Sequence, residues 1–458
     1  MTYSNAANIV ATTDEYLRSF QRFSRYQVSY LHVTHGAKIA CDLAQFDAVL
    51  QSYCVRLSEP ELISRDYLDR LRAYRGVKAA AVQDEYFRTG ALRRELADIG
   101  FDIVFTCVPP AHIEQIYPRA IFSRTEFVTV LTGYVPDILA EQERPRRPLR
   151  DRPVVIGYRG RDIGSRYGRL AFEKYEIGRR MREICVARAV RHDIEVAEEK
   201  RIYGNHWYEF VESCRAMLGT ESGSNIFDDD GTIEARYETM SRELGRPVGY
   251  DEFRPYTEAQ DRSIDMGQIS PRIFEAAALK TPLILFTGRY SNAISPGDHY
   301  IELKKDFSNV DQVLNRLDDI DGLEEMAERA YAHLIGSGAF GYRQFVRQVE
   351  NAIDRRRTEK GFRASAASEA APSWQAAGAF EAAGVPVVEV PTPLPRHPLH
   401  FQHHALLGQH RELVNRYNQL WADLARPGFL AKLALAAVLP QRVRDLRRRG
   451  SRTDTSPS

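Results

Sequence analysis

Apolar and polar positions in the first third of the chain follow two spacings. Continuous β-type apolar runs fall at 28–33 (VSYLHV), 47–53 (DAVLQSY), 78–83 (KAAAVQ), 102–109 (DIVFTCVP) and 127–133 (FVTVLTG). Between them, 62–76 (LISRDYLDRLRAYRG) and 88–100 (RTGALRRELADIG) repeat apolar residues at helical spacing, and each stops at a glycine, Gly76 and Gly100. Strands alternating with helices predict βαβ units and a mostly parallel sheet. Runs that are apolar throughout predict strands covered on both faces.

A charged, proline-bearing stretch at 141–153 reads as a linker. The pattern then repeats. Strand-like runs stand at 154–161, 194–199, 215–220, 283–288 and 300–305, a helical pattern at 309–335, and 340–357 reads as the last helix of this second domain. The fold expected is α/β, with domains at 1–145 and 146–358 facing across a cleft. In open parallel sheets ligands bind beyond the carboxyl ends of the strands. An Ala/Pro-rich linker follows at 359–400, and 401–458 is a helical extension ending in an apolar stretch and six arginines.

With 458 residues, 43% apolar and 27% charged, a core of ordinary size is available. Lys plus Arg is 63 against 62 for Asp plus Glu. That balance argues against a dedicated basic nucleic-acid binder and an acidic disordered chain. The five cysteines form no C-x-x-C pair, so neither a disulfide framework nor a zinc site is expected, and a cytoplasmic location is. No signal peptide is expected. The apolar stretch 429–439 is too short to span a bilayer, but its basic flank suits peripheral contact with the inner membrane face. Asp228, Asp229 and Asp230 read as a solvated acidic turn, and the histidines beyond 396 as exposed or packing residues, so no metal is expected.

The most informative segment is 268–286 (QISPRIFEAAALKTPLILF). A polar loop precedes a small-residue helix with Arg272 and Glu275 expected in its first turn. A helix N-terminus offers free N–H groups and a positive dipole end to phosphate. A carboxylate there can accept two hydrogen bonds from a ribose diol. Arg159 and Arg161 follow the first strand of the second domain, where guanidinium groups can pair with a diphosphate. Glu221 and Ser222 follow the strand at 215–220 and can meet donor or acceptor hydroxyls. In the first domain Asp84 and Glu85 follow one strand and His35 another. Any of these three could serve as the base that takes a hydroxyl proton. His112 is a further loop candidate.

The 268–286 pattern resembles the donor motif of group 1 glycosyltransferases of the GT-B fold. Glu275 stands at the motif's second Glu, and Gly267 stands where its first acidic residue would be. Segments 81–87, 105–110, 131–136, 158–178, 219–231 and 290–317 are similar to spore-maturation-type bacterial members, so the resemblance covers 20–355. It implies two Rossmann-like domains and a metal-independent hexosyltransferase with no cofactor. The donor would be a nucleotide-diphosphate sugar held by Arg159, Arg161, Glu221, Ser222, Arg272 and Glu275. The acceptor would be a glycan, lipid-linked or other hydroxyl compound in surface polysaccharide or glycoconjugate synthesis, with no nucleic-acid partner. A degenerate, non-catalytic scaffold is the alternative, motivated by Gly267 and the long tail. A nucleotide-dependent oxidoreductase is disfavoured because no G-x-G-x-x-G turn follows the first strand.

Overall fold

A computed structural model describes residues 1–3, 11–39, 41–140 and 147–361. The Ala/Pro-rich linker beyond 361, the basic extension with its membrane expectation, and residues 141–146 of the 141–153 linker lie outside the described residues.

The chain forms an α/β fold on two parallel sheets. A two-stranded pair, β1 (Thr2–Tyr3) and β2 (Leu31–His32), flanks the first sheet. That sheet has the order β3 (Ala48–Gln51), β4 (Val77–Ala81), β5 (Ile103–Thr106), β6 (Glu126–Thr129). The second has β11 (Ile301–Leu303), β10 (Leu283–Phe286), β9 (Cys214–Gly219), β7 (Val154–Arg159), β8 (His192–Glu195). All these pairings are parallel. The continuous apolar runs explain the layering. Every residue of β4, β5 and β10 is buried, as strands covered on both faces require. The run at 28–33 keeps only two strand residues.

Local chemistry ends the helices where the pattern places them. Ser64 caps Arg65–Ala73 by accepting from the Tyr67 N–H at 3.2 Å, and Tyr67, Leu68 and Leu71 form the buried face. Thr89–Ile99 stops at Gly100, whose φ of 71° favours glycine. Two helices between β9 and β10, Thr232–Leu244 and Tyr250–Ser263, have no counterpart among the sequence expectations. They close a small core of Tyr237, Val248 and Phe253.

The helix Tyr342–Glu359 corrects one expectation. It does not close the second sheet but crosses back to the first. There Phe345, Val346, Val349, Ala352 and Ile353 pack with Tyr16, Phe20, Val77, Ala79 and Ile103. Glu350 secures the crossing by accepting from Ser24 Oγ (2.5 Å), the Arg25 N–H (2.8 Å) and Arg25 Nε (2.9 Å). The 3.6-residue periodicity reveals an apolar stripe but not the sheet that covers it.

The lobes also meet around the cleft. Gln268 Nε2 donates to the Cys107 carbonyl at 2.6 Å, Thr132 Oγ1 donates to the Ile269 carbonyl, and Gly133 lies against Pro271. The Asp228–Asp230 turn is not a freely solvated one. Asp228 accepts from the N–H groups of Gly231, Ile233 and Glu234, capping the next helix. The Asp228 and Asp229 carbonyls accept from the Thr89 and Gly90 N–H groups of the other lobe, and Arg93 pairs with Asp229. Among the described residues no three His, Cys, Asp or Glu side chains are placed to hold a metal ion. No described helix is long and apolar enough to cross a membrane.

Candidate functional site

In the second sheet the strand order reverses at β7, which lies between β8 and β9. Chain segments leaving β7 and β9 therefore diverge and open a crevice at their carboxyl ends, where ligands bind in such sheets. The loops after β7 and β9 and the helix Pro271–Ala278 line this end of the lobe.

That helix starts one residue after Ser270, whose backbone is extended and whose side chain caps nothing, and Pro271 occupies its first position. Glu275 is consequently the fifth helical residue and stands in the second turn, not the first. It is 9% exposed, and Oε2 accepts from Trp207 Nε1 at 2.7 Å. Burial raises its pKa, while the Trp207 bond and Arg272 oppose the rise. Arg272 lies over the Trp207 ring at 5.0 Å and donates to the Arg159 carbonyl. Trp207, absent from the sequence candidates, thus orients both.

Arg159 occupies a different place from the one expected. Its Nη1 donates to the Tyr158 and Asp193 carbonyls at 2.8 and 2.9 Å, and Nη2 pairs with Asp193 at 2.8 Å. The guanidinium lies 4.2 Å over the Phe210 ring and the residue is 8% exposed. It ties β7 to β8 and serves the crevice through its carbonyl, the acceptor for Arg272. Arg161 is exposed and pairs with Glu198 at 3.2 Å.

The cation that the candidates missed is Lys174, in the helix Gly168–Ala187. No described residue forms a hydrogen bond or ion pair with its ammonium. Burial and the neighbouring charges of Arg272 and Arg161 lower its pKa to about 8, and Asp84 of the other lobe opposes the shift. A sequence signal existed. Leu170, Ala171, Ile177 and Gly178 are buried and share the helix face on which Lys174 stands. A lysine on an otherwise apolar stripe faces packing or a site, not solvent.

Glu221 is buried, and its Oε1 accepts from the Arg289 N–H at 2.6 Å and the Tyr290 N–H at 3.4 Å. Burial raises its pKa. It anchors a turn in which Tyr290, Ser291 and Asn292 all have left-handed φ near 50°. Gly267 explains the missing acidic residue. Its φ is 44°, and a Cβ there would stand 3.1 Å from both Arg289 Cβ and Glu221 Oε1. The left-handed φ strains any L residue and a Cβ would crowd the Arg289 and Glu221 side chains, while Glu221 and Asp265 put carboxylates beside that position. Ser222 pairs backbone to backbone with Gln268 at 2.7 Å, and both line a small cavity shared with Asp84 and Glu85.

The three base candidates separate in the structure. Asp84 stands in the loop after β4 with a left-handed φ of 54°, and its carboxylate accepts from Tyr86 Oη (2.8 Å) and Arg56 Nη2 (2.9 Å) while staying partly exposed. Glu85 is 2% exposed and turned inward. It accepts from Thr106 Oγ1 (2.5 Å), the Cys107 N–H (2.7 Å) and Tyr117 Oη. Burial pushes its pKa up to about 7. It braces the end of β5. His35 is exposed in a turn, where its N–H donates to the Leu62 carbonyl at 2.8 Å. His112 Nε2 accepts from the Asp265 N–H at 3.1 Å, a contact between lobes. Of the three, Asp84 alone lines the cavity of about 560 Å3 at the carboxyl end of the first sheet, against Pro271 of the donor-side helix.

No protein-family model matches the chain. No curated protein sequence matches it either. Solved structures do. TarM aligns at 11% identity and a TM-score of 0.35, over 67% of this chain and 54% of that one, so the chain spans about half of TarM. The DNA-modifying enzyme beta-glucosyltransferase aligns at 10% identity and a TM-score of 0.42, over 77% of this chain and 98% of that one. An alpha-glucosyltransferase in complex with UDP and DNA aligns at 8% identity and a TM-score of 0.44, with the same coverages. The substrates in those names belong to those proteins.

Proposed function

We propose that this chain is a glycosyltransferase of the GT-B kind. It would move a sugar from a nucleotide-diphosphate donor in the second lobe to a hydroxyl compound held by the first. The observation that carries the reading is Lys174. It is half-buried on the helix Gly168–Ala187, its ammonium has no partner among the described residues, and it feels the charge of Arg272, whose guanidinium lies over Trp207. A desolvated cation that also feels a like charge favours an anion beside it. Glu275 has Oε2 held by Trp207 and can offer Oε1 to a ribose hydroxyl.

In this reading Asp84 takes the acceptor hydroxyl proton. The acceptor oxygen bonds to the anomeric carbon, and the bond from that carbon to the diphosphate oxygen breaks with its electron pair on the diphosphate. Lys174 and Arg272 neutralise the charge that develops there, as preorganised groups in a dry site do. These cations supply the positive charge without a divalent ion. Asp265 and Glu221 beside Gly267 are the carboxylates placed to meet sugar hydroxyls. A cytoplasmic role in surface polysaccharide or glycoconjugate synthesis, with membrane contact through the basic tail, is the setting proposed.

Calorimetry with UDP, GDP, ADP and dTDP tests the reading. One nucleotide should bind the full chain, and Glu275→Ala and Lys174→Met should each weaken it by about tenfold or more, the scale of a charge-assisted hydrogen bond. No binding by any of the four, or wild-type affinity in both variants, refutes it. The glycine at 267, where the motif has an acidic residue, favours the scaffold as second reading. Binding of nucleotide without release of nucleoside diphosphate from any donor sugar would support that scaffold.

A further inference from the structure

The cavity of about 560 Å3 on the first lobe has a distinctive chemical balance. One wall is aromatic, built from Tyr16, Tyr53, Tyr134, Tyr342 and Phe345. The rings pack on one another, with centroids 4.5 Å apart for Tyr16 and Tyr53 and 4.8 Å for Tyr134 and Phe345, so the wall is rigid. Among the described residues the sole cationic one lining it is Arg56, engaged by the carboxylates of Asp84 at 2.9 Å and Glu59 at 3.6 Å. The charged lining among the described residues therefore sums to −1. Gln83 and three threonines add neutral hydrogen-bonding groups.

That combination discriminates between acceptor classes. A phosphorylated or otherwise anionic acceptor would meet net negative charge and a guanidinium already paired, a costly juxtaposition for a desolvated anion. A neutral pyranose fits instead. Its C–H faces are apolar and suit aromatic ring faces, and its hydroxyls suit carboxylates, amides and threonines. The volume lies within the range of sites that enclose a ligand of a few rings. Resting on the glycosyltransferase reading above, we propose that this cavity is the acceptor subsite and receives the terminal residues of a neutral saccharide. Asp84 faces the hydroxyl to be glycosylated, and the Tyr16–Tyr53 wall stacks against the sugar.

The test is a fluorescently labelled full chain on a glycan array of neutral, sialylated, sulfated and phosphorylated glycans, with a fluorescent duplex DNA titrated separately. Neutral termini should bind. Tyr53→Ala should weaken that binding at least tenfold, with Tyr53→Phe restoring most of it, while calorimetry with nucleotide verifies that the donor lobe of each variant is folded. Preference for anionic glycans or DNA, binding to none of the probes, or neutral binding that Tyr53→Ala leaves unchanged would overturn the proposal. The two readings fail separately. Nucleotide binding without neutral-glycan binding removes the acceptor assignment alone. Neutral-glycan binding that Tyr53→Ala abolishes, in a chain that binds no nucleotide, removes the glycosyltransferase reading and retains the saccharide site.

Discussion

Glu85 gives a sharp test of its place in the structure, because a brace and a base respond differently to pH. Its carboxyl is 2% exposed, and burial raises its pKa from an ordinary 4.5 to about 7 against the opposing effect of three donors. The folded chain therefore holds this proton more tightly than the unfolded chain does. The contribution to stability is fully present below the unfolded value of 4.5 and is lost as pH rises through about 7. Each pH unit inside that window removes about 1.4 kcal/mol, and the whole gap amounts to about 3 kcal/mol. In Glu85→Gln the titrating proton is gone, the amide oxygen can still accept from the Cys107 N–H, and the amide N–H groups can meet the Thr106 and Tyr117 hydroxyls. Glu15, whose pKa burial raises to about 8, remains in both proteins and cancels in the difference. Urea unfolding of wild type and variant from pH 5 to pH 8 is the measurement. The stability difference, wild type minus variant, should fall by about 2 kcal/mol from pH 5 to pH 7 and then level off. A difference that stays flat across this range would sink the argument.

Three further outcomes are expected. The affinity of the nucleotide that binds should fall as pH rises through about 8, where Lys174 loses its charge, and Lys174→Met should flatten that dependence in calorimetry. Trp207→Phe leaves Glu275 Oε2 buried without its donor, so urea unfolding should show a loss of about 1–3 kcal/mol together with weaker nucleotide binding; unchanged values in both would count against the pair. Gly90→Ala removes a glycine from the first turn of the helix Thr89–Ile99, worth about 0.4–1 kcal/mol through the unfolded chain, but its Cβ would collide with the Asp229 carbonyl of the other lobe. Small-angle scattering should show a more open chain with an undiminished melting temperature, whereas unchanged scattering would mean that the Asp228–Asp229 contact does not hold the lobes together.

The central strands β4, β5 and β10 stand where the apolar runs stand, because a strand buried on both faces must be apolar throughout, a property of the residues themselves, whereas the half-buried edge strand β8 (His192–Glu195) overlaps the expected run at 194–199 only at its end. The helix 271–278, its small residues and Glu275 were legible for the same local reason. Tertiary contacts decided the rest. Periodicity marks an apolar face on Tyr342–Glu359, but that face packs on the first sheet because Tyr16, Phe20 and Ile103 meet it there. Arg159 and Glu85 look like site residues when only their place after a strand is known. One is bound into β8 by Asp193, and the other is enclosed by Thr106, Cys107 and Tyr117. The roles proposed for Lys174 and Asp84 depend on Arg272, almost a hundred residues from Lys174 along the chain, and on the cavity that Pro271 helps to line. Residue type and spacing determine which groups can bury, cap or ionise. Which group faces the cleft depends on neighbours distant in sequence, whose proximity exists only after the chain has folded.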